Sequence, residues 1–191
     1  MSELRRINLK RSAILAKSPP SKFGIWLPLL LIVSFMLANI YFAVQGTLAD
    51  DIIVTHSSAA VVFVLDLLFY AVFDYIILLL VLWVYRSILS FRPYFYLTKT
   101  QTFNETFKFW YVIRNIIYGL FTLLLFKFPF LERYFVVLDL LLSFGVVLLT
   151  YFSLQKYIDI MFRHMYFKLL LYPWFIYQAI DIVLSIIFGG V

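Results

Sequence analysis

The sequence predicts an all-α polytopic membrane protein, a bundle of five transmembrane helices with a cytoplasmic N-terminus and an external C-terminus. Of its 191 residues, 64% are hydrophobic and 14% are charged, against about 25% charged residues in a typical soluble domain. The mean hydropathy is +0.97, which excludes both a soluble globule and a disordered chain. The absence of cysteine excludes a disulfide scaffold and thiolate chemistry. A transmembrane barrel is disfavoured because its short alternating segments do not occur.

Apolar segments of about 20 residues, enough to cross roughly 30 Å of hydrocarbon, define the predicted organisation. A basic amphipathic cytoplasmic segment over 1–22 precedes a single transmembrane domain over 23–191. The predicted spans are about 24–44, 59–85, 110–130, 134–153 and 169–189. We expect the first to be a retained helix and not a cleaved signal, because its long apolar stretch begins late and has no good cleavage site.

The third and fourth predicted spans are joined by a very short connection. It runs from Lys127 to Arg133, so the two helices must form a tight antiparallel hairpin. The third span is the weakest, with Arg114 near its start and Lys127 near its end. A four-span alternative would make one of the helices re-entrant or interfacial.

The distribution of cations predicts the orientation. Thirteen of the 16 Lys and Arg residues lie before the first span or in the loops after the second and fourth. Cytoplasmic loops carry an excess of Lys and Arg, which places these segments inside. The basic segment at 1–22 then resembles an interfacial helix on anionic lipid; the alternative is that its cations only hold the N-terminus inside. Positive loops explain the net charge of +6, and we expect no direct binding of nucleic acid.

The largest predicted cytoplasmic loop, 86–109, is rich in aromatic residues. Thr102 and Glu105 have the spacing of a capping box, which predicts a helix that starts near Thr102 and runs into the third span. Aromatic rings of this kind commonly sit at the depth of the lipid headgroups. The alternative is a docking surface for a cytosolic partner, with the candidate residues Arg92, Tyr94, Tyr96, Phe103 and Glu105.

Ionisable residues inside a span indicate function or helix association. The intramembrane polar residues singled out by the sequence are Asp66, Tyr70, Asp74, Arg114, Tyr118, Lys127, Asp139, Gln178 and Asp181. At the helical period of 3.6 they form stripes, each on one helix face. Asp139 shares its face with Ser143, and Gln178 shares its face with Asp181.

Depth along the spans predicts which charges meet. Asp74 and Arg114 both lie toward the cytoplasmic half, and Lys127 and Asp139 both lie near the outer surface, so these are the predicted pairs. Asp66 and Asp181 are left without an internal cation. Burial favours the protonated form of such acids; the alternatives are contact with water or with another subunit.

The sequence therefore predicts a non-enzymatic integral membrane subunit without metal or cofactor. It oligomerises, or it anchors and senses for a protein on the cytoplasmic face, with a prokaryotic defence or stress system as one setting and the prokaryotic plasma membrane as its location. The alternative is a small transporter or pore that moves protons or cations through its intramembrane Asp residues. Intramembrane catalysis by two carboxylates, such as Asp66 with Asp181, is a third class.

Overall fold

The computed structural model describes residues 26–49, 56–90, 101–155, 158 and 160–188, and this part of the chain is helical. The α-helices are α1 (Trp26–Ala49), α2 (His56–Ser90), α3 (Gln101–Leu125), α4 (Phe135–Leu154) and α5 (Ile160–Phe188). A short 3₁₀ helix, Pro129–Tyr134, joins α3 to α4. The described residues contain no strand, so the predicted all-α fold is confirmed.

Four helical segments are long and apolar enough to cross a membrane. They are Trp26–Gln45, Ala60–Ser87, Phe103–Leu125 and Pro129–Leu154. Helix α5 has 29 residues and is not one of these four segments, which are counted among the described residues only. It also contains Pro173, which removes one backbone hydrogen bond. Five spans and the orientation of the termini stay predictions.

The third span begins and ends earlier than the predicted 110–130. The helix starts at Gln101, which confirms the start expected from Thr102 and Glu105. It ends at Leu125, and Lys127 is exposed in the turn that follows. The predicted tight hairpin is confirmed, because only this turn and the 3₁₀ helix separate α3 from α4.

The five helices contact one another in a closed order. Helix α1 packs against α2 and α3, α3 packs against α4, α4 against α5, and α5 returns to contact α2. Rings on α3 stack along one face at positions 103, 107 and 111, and they meet Tyr85 of α2 and Phe35 of α1 at centroid distances of 5.3–6.1 Å. Aromatic pairs of this kind contribute about 0.5–1.5 kcal/mol each beyond their buried area.

Helices α1 and α3 approach closely at Gly119. A Cβ atom at this glycine would lie 2.9 Å from the backbone carbonyl carbon and oxygen of Leu37. Real Cβ atoms essentially never come so near, so the absence of a side chain permits this crossing. Small residues allow the same close approach at helix interfaces within membranes generally.

The outer faces of the bundle are apolar. Along α2 the exposed side chains include Val61, Leu65, Phe69, Phe73 and Leu80. In water such a surface would be a large exposed apolar patch. In a membrane the hydrocarbon chains of the lipids would cover it. Several polar side chains of the spans, among them Asn39, Asn115 and Gln178, are buried between helices.

Candidate functional site around Arg114

An ion pair lies in the middle of the bundle. Arg114 stands at the midpoint of the span Phe103–Leu125, and its Nη2 donates to Oδ1 of Asp139 on α4. The exposed fraction of these side chains is 15% for Arg114 and 29% for Asp139. The predicted pair of Lys127 with Asp139 is therefore wrong. Arg114, predicted to pair with Asp74, forms its ion pair with Asp139 instead and interacts with Asp74 only electrostatically. The earlier start of α3 moves Arg114 from the end of the span to its centre and leaves Lys127 outside it.

Two tyrosine rings enclose the guanidinium of Arg114. Its Cζ lies 5.0 Å from the ring centroid of Tyr111 and 5.2 Å from that of Tyr118. These rings stand one turn before and one turn after it on α3, where helical spacing brings them to one face. Desolvated cation–π contacts of this geometry stabilise a charge by up to about 2 kcal/mol each. The two aromatic faces therefore help to stabilise the cation inside the bundle.

A second carboxylate lies beside this ion pair. Asp74 is at the middle of the span Ala60–Ser87, and its Oδ2 accepts a hydrogen bond of 2.7 Å from Nδ2 of Asn39 on α1. The same nitrogen donates to the backbone oxygen of Phe35 at 3.0 Å. Arg114 and Asp139 both interact electrostatically with Asp74. The group therefore has two carboxylates around one guanidinium.

Asn115 ties the ion pair to α1. Its Oδ1 accepts from Nη1 of Arg114 at 2.8 Å, and its Nδ2 donates to Oγ of Ser34 at 3.3 Å. Both Asn115 and Ser34 are fully buried. The polar cluster, defined here as Asn39, Asp74, Arg114, Asn115 and Asp139, consequently connects four helices, α1 to α4. Nε of Arg114 is buried and has no hydrogen-bond partner among the described residues.

A smaller polar contact joins α4 to α5. Oγ of Ser143 accepts hydrogen bonds from Nε1 of Trp174 at 3.1 Å and from Nε2 of Gln178 at 3.0 Å. It also donates to the backbone oxygen of Leu140 at 3.0 Å. Gln178 is buried and points between helices, as the polar stripe predicts. Asp181 lies on the same helix, but its side chain is outside the described part of the structure.

The remaining predicted residues of α2 lie away from the cluster. Asp66 is half-buried, and no described residue forms a hydrogen bond or ion pair with it. Tyr70 is exposed, with its ring 6.0 Å from that of Phe69. Of the predicted stripe of Asp66, Tyr70 and Asp74, only Asp74 therefore belongs to the polar cluster.

The predicted docking residues divide between α3 and the undescribed segment. Phe103 is 0% exposed and packs on Tyr85, so it forms core and is not available to a docking protein. Glu105 is half-buried on α3. Arg92, Tyr94 and Tyr96 lie outside the described residues.

Sequence reasoning missed Ser34, Asn39 and Asn115. It searched the first span for charges, and that span has none, so its two isolated neutral polar residues went unremarked. An Asn within a long apolar run is the signal that was available, because an amide in hydrocarbon needs a partner. Asn115 stands next to Arg114 and carries the same signal.

The site offers hydrogen bonds, two carboxylates and one guanidinium. Among the residues that the structure describes, no three His, Asp or Glu side chains come together. Comparison of the chain with protein-family models, with curated proteins and with solved structures gives no match. The functional argument accordingly rests on the charges and packing of the bundle.

Proposed function

We propose that the chain is a non-enzymatic integral membrane subunit that acts within an assembly, with a second copy of itself or with a partner protein. The polar cluster and the contact at Ser143 hold the helices of one subunit together. Interhelical polar contacts in membranes contribute about 0.6 kcal/mol on average and up to about 1.7. These contacts explain why the polar residues of the cluster and Gln178 are retained. They do not explain Asp66 of α2, which is half-buried and lies away from the cluster.

Asp66 is the observation that carries the proposal. It lies within the span Ala60–Ser87, about 12 Å along the helix axis from Asp74 at 1.5 Å per residue. Its neighbours at the surface of α2 are the apolar side chains of Val64, Leu65 and Phe69. An acid in such a setting is expensive and normally meets a partner or a water-filled space. A donor from another subunit supplies that partner.

Replacement of Asp66 by Asn tests the assembly. We expect the wild-type protein to form a defined oligomer in mild detergent and in lipid nanodiscs, and Asp66→Asn to shift its population toward the monomer by roughly tenfold, the equivalent of one strong polar contact. Thermal stability of the monomer should change by less than about 0.5 kcal/mol, as for surface substitutions. Native mass spectrometry measures the oligomer.

The control for this experiment is Glu132→Gln, which removes an exposed acid from the 3₁₀ helix outside the helical core. It should leave the oligomer unchanged. A wild-type monomer in nanodiscs contradicts assembly with a second copy, and an Asp66→Asn protein that assembles like the wild type contradicts the role given to Asp66.

A second candidate function is movement of protons or monovalent cations through the polar cluster. The observation that favours it is the surplus carboxylate, since Asp74 and Asp139 share the single guanidinium of Arg114. An uncompensated charge is costly at the bilayer centre. A proton or a cation at Asp74 would neutralise the group, and its exchange with both sides would constitute transport.

Flux through proteoliposomes tests this alternative. Under the transport hypothesis we expect Asp74→Asn to abolish proton or cation flux, measured with an interior pH dye and a potassium or sodium gradient. The variant should stay folded, because an amide still accepts the hydrogen bond of Asn39. Gln178→Leu, in the other polar contact, is the control and should keep its flux. No flux in the wild type, or equal flux in both variants, refutes the alternative.

A further inference from the structure

A groove opens on the side of the bundle where α2 ends and α3 begins. It has a volume of about 560 Å³ and is lined along α2 from Ile76 to Arg86 and along α3 by Asn104 and Lys108. Arg86 is exposed and Lys108 is half-exposed. Both cations stand at the same end of the groove, because Tyr85 and Phe107 bring the end of α2 against the start of α3 with ring centroids 5.3 Å apart.

The rest of the groove is apolar. Ile76, Leu79, Leu80 and Trp83 line it and are all exposed, with Trp83 exposed to 66%. From Arg86 back to Ile76 the groove follows α2 for about 15 Å at 1.5 Å per residue. That distance is half of the roughly 30 Å hydrocarbon layer. The groove therefore has the depth of one lipid leaflet, with its cations at the end of the span.

The charge of the groove selects for an anion. Arg86 and Lys108 line it, and no Asp or Glu does so among the described residues. Asn104 adds a polar group at the same end. A phosphate at the two cations and an acyl chain along the apolar wall are together the parts of an anionic phospholipid.

We propose that this groove binds one anionic phospholipid, with its phosphate at Arg86 and Lys108 and one acyl chain along α2 toward Ile76. Basic residues near a membrane surface attract anionic lipid in general. The groove adds a fixed position, since the two cations come from different helices and the apolar wall begins directly beside them. A bound lipid of this kind would join the ends of α2 and α3.

The experiment uses the full chain, stripped of lipid in detergent and titrated with dioleoylphosphatidylglycerol or dioleoylphosphatidylcholine under native mass spectrometry. We expect the wild type to prefer phosphatidylglycerol by roughly tenfold or more, since each of the two cations contributes about 1 kcal/mol near a membrane surface. The double variant Arg86→Gln with Lys108→Gln should reduce that preference to about twofold or less. Both positions are outside the packed core, so folding is expected to survive.

A matched control removes the same charge from elsewhere. Lys127→Gln with Arg133→Gln neutralises two exposed cations near the turn between α3 and α4, and it should keep the full preference. Equal losses in the two double variants would mean that overall charge attracts the lipid, and they would overturn the proposal.

Two further arms separate the acyl chain from the headgroup. Leu80→Trp fills the apolar wall without touching the cations, and we expect it to weaken phosphatidylglycerol binding severalfold. Soluble glycerol 3-phosphate should show no competition at millimolar concentration. If it competes as well as the lipid, or if Leu80→Trp binds like the wild type, the groove is a site for free phosphate and the proposed lipid site is wrong.

Discussion

Replacement of Arg114 by Gln is expected to lower the free energy of unfolding by about 3–5 kcal/mol, the range found when one partner of a buried ion pair is removed. The variant leaves the carboxylates of Asp139 and Asp74 in the middle of the bundle with no cation beside them. It also removes the charge that lies between the rings of Tyr111 and Tyr118. Unfolding by sodium dodecyl sulfate in mixed micelles, followed by tryptophan fluorescence, measures the loss.

The control for Arg114→Gln is Gln178→Leu. That variant removes a neutral hydrogen bond to Ser143, and it should lower the free energy of unfolding by only about 0.6 kcal/mol. A double replacement, Arg114→Leu with Asp139→Leu, should recover part of the stability, because apolar residues often replace a buried pair without loss and only Asp74 is then left without a cation. A loss in Arg114→Gln no greater than that in Gln178→Leu would contradict the central place given to the ion pair.

Replacement of Gly119 by Ala is expected to destabilise the protein by about 1–3 kcal/mol, as overpacking of a tight core does. The added Cβ would meet the backbone of Leu37 at 2.9 Å. Backbone atoms of a helix cannot move aside as a flexible side chain can, so α1 and α3 must separate. The same unfolding titration measures the change, and the longer side chain of Gly119→Leu should increase it.

Gly145 is a matched control for this substitution. It also lies in the interior of a helix, but a Cβ atom there has nothing within 4 Å. Gly145→Ala should be neutral or stabilising by up to about 1 kcal/mol, since Ala is the better helix former. Similar effects at both glycines would mean that helix propensity, and not the crossing of α1 and α3, determines the outcome.

Composition predicted the class of fold well, and it predicted the depth of the third span poorly. Apolar runs of sufficient length mark α1, α2 and α4 because the sequence around them is polar or charged. The start of α3 has no such contrast, and its aromatic residues were assigned to the headgroup region. In the structure Phe103 and Phe107 are buried against Tyr85, so the span itself begins at Phe103 and not at residue 110.

That shift explains why the charged pairs could not be predicted. Pairing was inferred from depth, and a span that begins at residue 103 instead of residue 110 moves its charges by about 10 Å along the axis at 1.5 Å per residue. The sequence singles out Asp74, Arg114, Asp139 and Gln178 because each interrupts an apolar face. In the structure each of them contacts a neighbouring helix through its polar atoms. Their partners depend on which helices are neighbours. The composition and the helical periodicity of a single sequence do not show which helices are neighbours.

The central position of Arg114 has a consequence for how the protein is made. A lone arginine at the centre of a helix raises the free energy of insertion by about 2.5–3.5 kcal/mol, and α3 is the least apolar of the four spans. Asp139 follows after only a short turn, so α3 and α4 can leave the translocation machinery together as a neutralised pair. We therefore expect α3 and α4 to insert into the membrane together as a helical hairpin, after α4 has been synthesised.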